Sequence, residues 1–313
     1  MNKNPFPYSN DNKRYHTLSY HYKKTFGGRL QKAVLECGAT CPNIDGSKGY
    51  GGCIFCDGGS GYFTNPGLSL TEQLSLESQR IRKKFGRVPL LAYFQANTNT
   101  YMPAEKLRQL IYDALSFPDI AGISIGTRAD CLPDDIVCLL KEISEQTYLT
   151  VELGMQSAHE STISLINRCC THNDFLEGYH KLKNAGIRVC LHLINGLPGE
   201  TPEMMTDSAI EAASLEPDGI KLQMLHVIRG TKLAEMYSNG GVDLLTKDEY
   251  VDIVVRQLEV LPQETVIERI TGDGDRKKLI APLWSADKKS VISSIDKKLA
   301  ALDTWQGRKY NKI

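Results

Sequence analysis

Cys41, Cys53 and Cys56 lie within CPNIDGSKGYGGCIFC, directly after an apolar, strand-like run from Ala33 to Glu36. Three thiols in one short loop are metal ligands before anything else. A cubic [4Fe-4S] cluster normally takes four cysteines, so three would leave one iron with an open position, the property that separates catalytic from structural zinc sites. Cys53 and Cys56 are close enough to reach neighbouring irons from one tight turn, and Gly46, Gly49, Gly51 and Gly52 let the loop wrap a bulky object without Cβ clashes. Phe55, between the last two cysteines, would shield a cluster from water and lay its backbone against a flat cofactor ring. A second reading stands beside this one: Cys37 extends the pattern to C-x3-C-x11-C-x2-C, which could close a tetrahedral zinc site. Structural zinc, however, chiefly supports small domains with little core of their own. Cys37 also ends a buried-strand pattern, which suits a packed thiol. Cys131, Cys138 and Cys190 sit in apolar patterns, and the vicinal pair Cys169-Cys170 is too strained for an easy disulfide.

The chain around this loop has 313 residues, 41% of them hydrophobic, enough to bury a full core as one large domain or one domain with extensions. The N-terminus has no apolar h-region, and no uninterrupted apolar stretch approaches membrane-spanning length. Nine cysteines without a secretion signal point to reduced thiols and a cytoplasmic location, with no membrane partner.

Strand and helix signals alternate as in a parallel α/β barrel. A helix is expected from Ser69 to Phe85, a strand from Val88 to Gln95, and a helix opened by Pro103. Strands are expected at Ile120 to Thr127, Tyr148 to Leu153, Ile187 to Ile194 and Gly219 to Val227. The intervening helices are expected at Pro133 to Glu145, between Ala158 and Ala185, and from near Pro202. These make six βα-like units. In such barrels the working residues gather at the carboxyl ends of the strands, and the polar clusters fall there: the cysteine loop, Gln95 to Thr100, Thr127 to Asp130, Gly154 to Ser157, and His192 followed by Asn195 to Glu200.

The net charge is zero but unevenly spread: residues 1–32 carry seven Lys or Arg against one acid, and residues 276–313 carry ten against three. Two basic ends on an acidic body suggest a polyanion partner. Aromatics interleave with the front cations, in Arg14-Tyr15-His16 and Tyr20-His21-Tyr22-Lys23-Lys24, a mixture that can neutralise phosphate and stack on unpaired bases. The plainer alternative is a set of solvated helix faces.

The ordered motifs CPN-x-DG-x-KG-x-GGC-x-FC, GTRAD, VELGMQS, GLPGET, TGDG and APLWS make the chain resemble a radical S-adenosylmethionine (SAM) enzyme. More narrowly, it resembles the YhcC/YtqA (MnmL-like) group, relatives of the elongator catalytic subunit. The similarity runs from about Tyr15 to Ser285. It implies a partial (β/α)6 barrel, TIM-like, over residues 33–230, with a basic N-terminal extension (1–32) and a mostly helical C-terminal extension (231–313). It also implies a [4Fe-4S] cluster on Cys41, Cys53 and Cys56, with SAM chelating the open iron and cleaved reductively to a 5'-deoxyadenosyl radical. Asn97 and Thr98 match the segment that receives the methionine amino group, and Gln156 and Arg168 match positions that hold ribose and carboxylate. Phe55 and Gly196 complete the expected cofactor contacts. Arg168 would supply a carboxylate fork, its alternative being a helix-surface salt bridge. His192 has three readings: cofactor contact, substrate contact, or hydrogen-bonded core histidine. Gly126 and His192 stand where related enzymes often carry acids, and the elongator subunit's acetyltransferase domain has no counterpart here.

The resemblance further implies tRNA as substrate, with wobble-uridine 5-substituents as targets. Hydrogen abstraction from the glycine-like CH2 of a carboxymethylaminomethyl group would give a radical flanked by nitrogen and carboxylate, and loss of the carboxymethyl unit would leave aminomethyluridine. Arg128, Arg229, Arg269 and Arg276 are candidates to contact phosphate or that carboxylate. Expected partners are an electron donor such as flavodoxin or ferredoxin and a downstream tRNA methyltransferase. Two other classes stay open: a radical SAM enzyme for a small metabolite or peptide, and a noncatalytic iron-sulfur or zinc protein that binds RNA.

Overall fold

The computed structural model describes residues 4–58 and 67–311. Helix α1 (Leu18–Phe26) precedes strand β1 (Gln31–Leu35), after which α2 (Leu70–Phe85), β2 (Leu90–Phe94), α3 (Ala104–Leu115), β3 (Ile120–Thr127), α4 (Asp134–Gln146) and β4 (Tyr148–Gln156) alternate. Then follow α5 (Glu160–Leu165), α6 (His172–Asn184), β5 (Arg188–Asn195), α7 (Pro202–Ser214) and β6 (Gly219–Met224). The remainder holds β7 (Val227–Ile228), α8 (Lys232–Ser238), α9 (Lys247–Val260), β8 (Val266–Arg269), β9 (Leu279–Ala281), a 3-10 turn (Leu283–Ala286) and α10 (Lys288–Ala301).

Local chemistry sets many of these boundaries. Ser69 caps α2 in a reciprocal box with Glu72, and Thr171 with Asp174 and Thr246 with Glu249 do the same for α6 and α9. Each box satisfies backbone N–H groups that a helix start otherwise leaves open. Pro103 and Pro133 stand one residue before their helices. Strand β2 is buried at every position, because a parallel strand is covered on both faces and need not alternate.

Seven strands pair in the order β1-β2-β3-β4-β5-β6-β8, all parallel. Sequential order with helices outside gives the partial barrel expected. The seventh strand, β8, was not among the six units read from the sequence; it follows α9 and pairs with β6. A separate two-stranded antiparallel sheet joins β7 and β9.

The incomplete barrel is held across its interior by charge. Lys32 of β1 donates to Glu268 of β8 at 2.9 Å and to Glu152 of β4 at 2.7 Å, linking the two edge strands through the barrel's centre. Lys221 of β6 also contacts Glu152. The two acids are almost wholly inaccessible, and each is held below the usual carboxylate range by these ammonium groups despite burial, which pushes the other way.

The basic front segment corrects an expectation. Tyr15 and Tyr22 are buried, His16 stacks on Tyr8 at 4.8 Å between ring centres, and Phe26 meets Tyr148 edge-on at 5.1 Å. Because Ile267 donates its N–H to the His16 carbonyl and His21 bonds the Tyr148 hydroxyl, α1 packs over the amino ends of the strands. Tyr15, Tyr22 and His16 are spent in that packing and are not free to stack on bases. Lys13 and Arg14 pair with Asp296 and Asp303, tying the two basic ends to each other. Among the described residues, no helix is long and apolar enough to cross a membrane.

Removing one partner of a buried pair leaves an uncompensated charge, costing about 3–5 kcal/mol. Glu268→Met is expected to destabilise the protein by that amount in denaturant titration, and the Lys32→Met/Glu268→Met double variant to recover most of it. Burial brings His21 down to about 4, so it is neutral when folded and charged at low pH when unfolded. Its contribution is full above about pH 6.5 and lost as pH falls towards 4. His21→Gln should therefore reduce proton uptake on unfolding in that window by about one, as read from the pH slope of stability.

Candidate active site

At the carboxyl ends of the strands lies a cavity of about 330 Å³. It brings together six of the candidate site residues singled out from the sequence, Phe55, Cys56, Asn97, Gln156, His192 and Arg269, whereas Arg128, Arg229 and Arg276 are not in its wall. Cys41, Cys53, Thr98, Arg168 and Gly196 are not in its wall.

The cysteine loop is lashed to the barrel from two sides. Ile44 and Asp45 N–H groups bond the Cys41 carbonyl at 2.8 and 3.1 Å, and the Cys56 N–H bonds the Cys53 carbonyl at 2.9 Å, so the loop holds two tight turns. Asn167, in the left-handed region at φ 53°, donates its amide to the carbonyls of Tyr50 and Gly52. Fully buried Asn43 donates to the Asn167 carbonyl at 2.6 Å, while its own Oδ1 is buried with no partner among the described residues. On the other side Lys48 pairs with Asp130, which Arg128 grips through two N–H groups while also donating to the carbonyls of Arg168 and Cys169. Burial raises the Cys53 thiol to about 11, with Cys56 beside it adding to the effect.

The donor set fits a three-thiolate cluster. The three cysteines are half-buried on one loop, and Cys56 reaches the cavity wall. Cys37 is turned away, its thiol donating to Asn99 Oδ1 at 3.0 Å while packing against the core. The four-cysteine zinc arrangement is therefore not assembled. Nor, among the described residues, do three His, Cys, Asp or Glu side chains converge closely enough to hold a single ion, whereas a cluster of several irons draws its ligands apart.

Asn97 and Gln156 both occupy the left-handed region, at φ 59° and 67°, a conformation uncommon outside glycine and concentrated at functional positions. The Asn97 amide bonds the Ala39 carbonyl at 2.9 Å, fixing it beside the cysteine loop. Gln156 follows a register shift in β4, and its buried Oε1 has no partner among the described residues. Thr98 is buried behind the rim with its N–H on the Thr40 carbonyl. Arg168 is likewise buried, donating to the carbonyls of Gly154 and Met155 and lying over the Phe175 ring. It is not on a helix surface and forms no salt bridge to a described residue; it braces the end of β4. Gly196, at φ 86°, lies against Leu245 in a neighbouring niche.

The cavity floor is a buried network centred on Glu152. Its carboxylate accepts from Tyr93 at 2.7 Å, Lys32 at 2.7 Å, Ser124 at 2.8 Å and His192 at 2.9 Å, and also from Lys221. Burial, reinforced by Lys221, lowers His192 to about 4. The neutral ring thus donates its Nε2–H to Glu152, which makes it at once a hydrogen-bonded core histidine and part of the cavity wall. Sequence reasoning missed Tyr93, Glu152 and Lys221 as site residues. The available signal was a lone charge inside each of two apolar strands, Tyr148–Gln156 and Gly219–Met224, since such charges occur paired. It also missed His226, whose ring is wedged against Gly272 and Gly274. A Cβ on those glycines would come within 2.3 and 3.1 Å of it.

With this geometry, family comparisons are unambiguous. Residues 48–210 match the Radical SAM superfamily and residues 217–301 the Radical_SAM C-terminal domain. The chain is 45% identical to YtqA of Bacillus subtilis over 100% of its own length and 98% of that protein. It is 32% identical to YhcC of Escherichia coli, covering 88% and 89% of the two chains. Elongator complex protein 3 of Mus musculus is 31% identical, but over only 52% of this chain and 30% of that one. The solved structure of Methanocaldococcus infernus Elp3 shares the fold with a TM-score of 0.68 at 17% identity, over 88% of this chain and 64% of that one. The protein belongs to the radical SAM superfamily. It is a radical SAM enzyme, with a [4Fe-4S] cluster and S-adenosylmethionine as its cofactors.

Substitution of Cys41, Cys53 or Cys56 by Ser should abolish iron retention in anaerobically purified protein, whereas Cys37→Ser should keep about four irons per chain. Metal analysis and the cluster's absorbance check this.

Proposed function

We propose that this enzyme modifies tRNA at the 5-substituent of wobble uridine, converting carboxymethylaminomethyl to aminomethyl. Cys41, Cys53 and Cys56 hold the cluster. Phe55, Asn97 and Gln156 would lie against bound S-adenosylmethionine, with Thr98 and Arg168 buried behind them and Gly196 completing the cofactor contacts. When bound, the two cofactors would supply a 5'-deoxyadenosyl radical that takes one hydrogen atom from the glycine-like CH2; return of one electron to the cluster would leave an imine, which water would split into glyoxylate and the aminomethyl group. His192 and Glu152 form a rigid polar floor beneath the reacting group. Phe55, Ile194, Met224, Leu225 and Ile228 in the otherwise polar wall limit the water that reaches a radical.

The observation that carries the substrate reading is the lip of the cavity. Arg229, Arg276, Lys277 and Lys278 are exposed around the β7–β9 sheet, and Lys278 pairs with Asp57, next to Cys56, at 3.0 Å. A cationic rim continuous with the cluster loop suits the phosphates of an RNA loop whose base turns into the barrel, an extrusion that costs less from a loop than from a duplex. The kinship with elongator proteins, through which the sequence pointed to tRNA, supports the same reading. An electron donor of the flavodoxin or ferredoxin type, a downstream tRNA methyltransferase and a cytoplasmic setting complete it.

Anaerobically reconstituted enzyme, given S-adenosylmethionine, reductant and tRNA bearing carboxymethylaminomethyluridine, is expected to yield aminomethyluridine and 5'-deoxyadenosine together by mass spectrometry. Deoxyadenosine without nucleoside change would point to a small metabolite or peptide instead.

A further inference from the structure

We propose that the side of the cavity built by β6, β8 and the turn from Thr271 to Asp275 binds a secondary amine bearing a carboxylate, an N-alkylglycine. Arg269 takes the carboxylate, and His226 accepts a hydrogen bond from the nitrogen. The inference rests on the wobble-uridine reading and adds the residues that select the substituent.

Two cations line the cavity, Lys221 and Arg269, and their circumstances differ. Lys221 is committed to Glu152 and the Tyr93 hydroxyl. Arg269, at the end of β8, is held loosely: its guanidinium lies 3.4 Å from Gln223 Oε1 and 3.4 Å from Asp273 Oδ2, with about a third of the side chain exposed. A guanidinium has five N–H donors, and those two long contacts leave an edge for a carboxylate. The cavity holds opposite charge as well, in Asp275 and in Asp273, whose carboxylate also pairs with Lys288.

His226 supplies the matching acceptor. It lines the cavity, and its side chain makes no hydrogen bond to any described residue. Gly272 and Gly274 allow the Thr271–Asp275 turn to close on the ring, which accounts for the glycines of the TGDG motif. Burial, with Lys288 and Arg269 nearby, lowers His226 to about 4, so its neutral ring can accept from a substrate N–H. A plain phosphate would meet the Asp275 carboxylate unfavourably, and a plain amine would meet Arg269. A zwitterion satisfies both.

The test uses reconstituted holoenzyme with S-adenosylmethionine and no reductant, so that binding is read without turnover. Fluorescence anisotropy compares an anticodon stem-loop carrying 5-carboxymethylaminomethyluridine with one carrying 5-aminomethyluridine, which lacks the carboxylate. Wild-type protein is expected to prefer the first by roughly tenfold. Arg269→Gln should erase that preference and Arg269→Lys restore part of it. His226→Leu should weaken both RNAs alike and keep the preference. Since each preference is a ratio measured on one preparation, partial misfolding cancels. Retention of the preference in Arg269→Gln, or unchanged affinities in His226→Leu, overturns the proposal. A wild-type enzyme that converts the nucleoside yet shows no preference overturns the pocket assignment alone. One that neither converts nor prefers overturns the substrate reading beneath it.

Discussion

The carboxylate of Glu152, buried in the middle of an open barrel, is the interaction on which the rest depends. Among the described residues no ladder joins β1 to β8, so the curvature of the seven-stranded half-barrel must be fixed from within. Lys32 reaches from the first edge strand to Glu152 at the centre and Glu268 on the last. Each charge is costly to bury alone and affordable only in company. The same carboxylate anchors Tyr93, Lys221 and His192, so the group that sets the barrel's shape also forms the floor of its cavity.

The upper part of the site follows a different rule. Above the floor, backbone and amide groups do the positioning: Asn43 and Asn167 strap the cysteine loop, and Arg168 braces the end of β4. Arg128 spans Asp130 and two carbonyls. Arg168, which the resemblance matches to a cofactor-holding position, is buried on the carbonyls of Gly154 and Met155, beside Gln156. Rigid elements beneath a loop-built site are what a radical reaction needs, since the reacting atoms must be kept within close reach and away from water.

Much of this was legible in the chain. Strand β3 runs over Ile120–Thr127 as its apolar run indicated, and α2 starts after Ser69 because a capping box leaves a local signature. The cysteine spacing marked the loop, and the role of Cys37 as a packed thiol followed from its place at the end of a strand. Strand β8 was not legible, because its four residues, Val-Ile-Glu-Arg, carry two charges that are explained only by partners on β1 and β6. The front aromatics misled, since stacking on bases and packing under a barrel call for the same residue types. His226 gave no sign of its surroundings because the glycines that enclose it lie more than forty residues downstream.

The central claim, a three-cysteine cluster opening into the barrel cavity, is tested most directly by anomalous diffraction at the iron edge from crystals grown anaerobically with S-adenosylmethionine. The account predicts four iron peaks beside the cavity, three bonded to Cys41, Cys53 and Cys56 and the fourth to the cofactor. A single metal peak with Cys37 as a fourth protein ligand would contradict it.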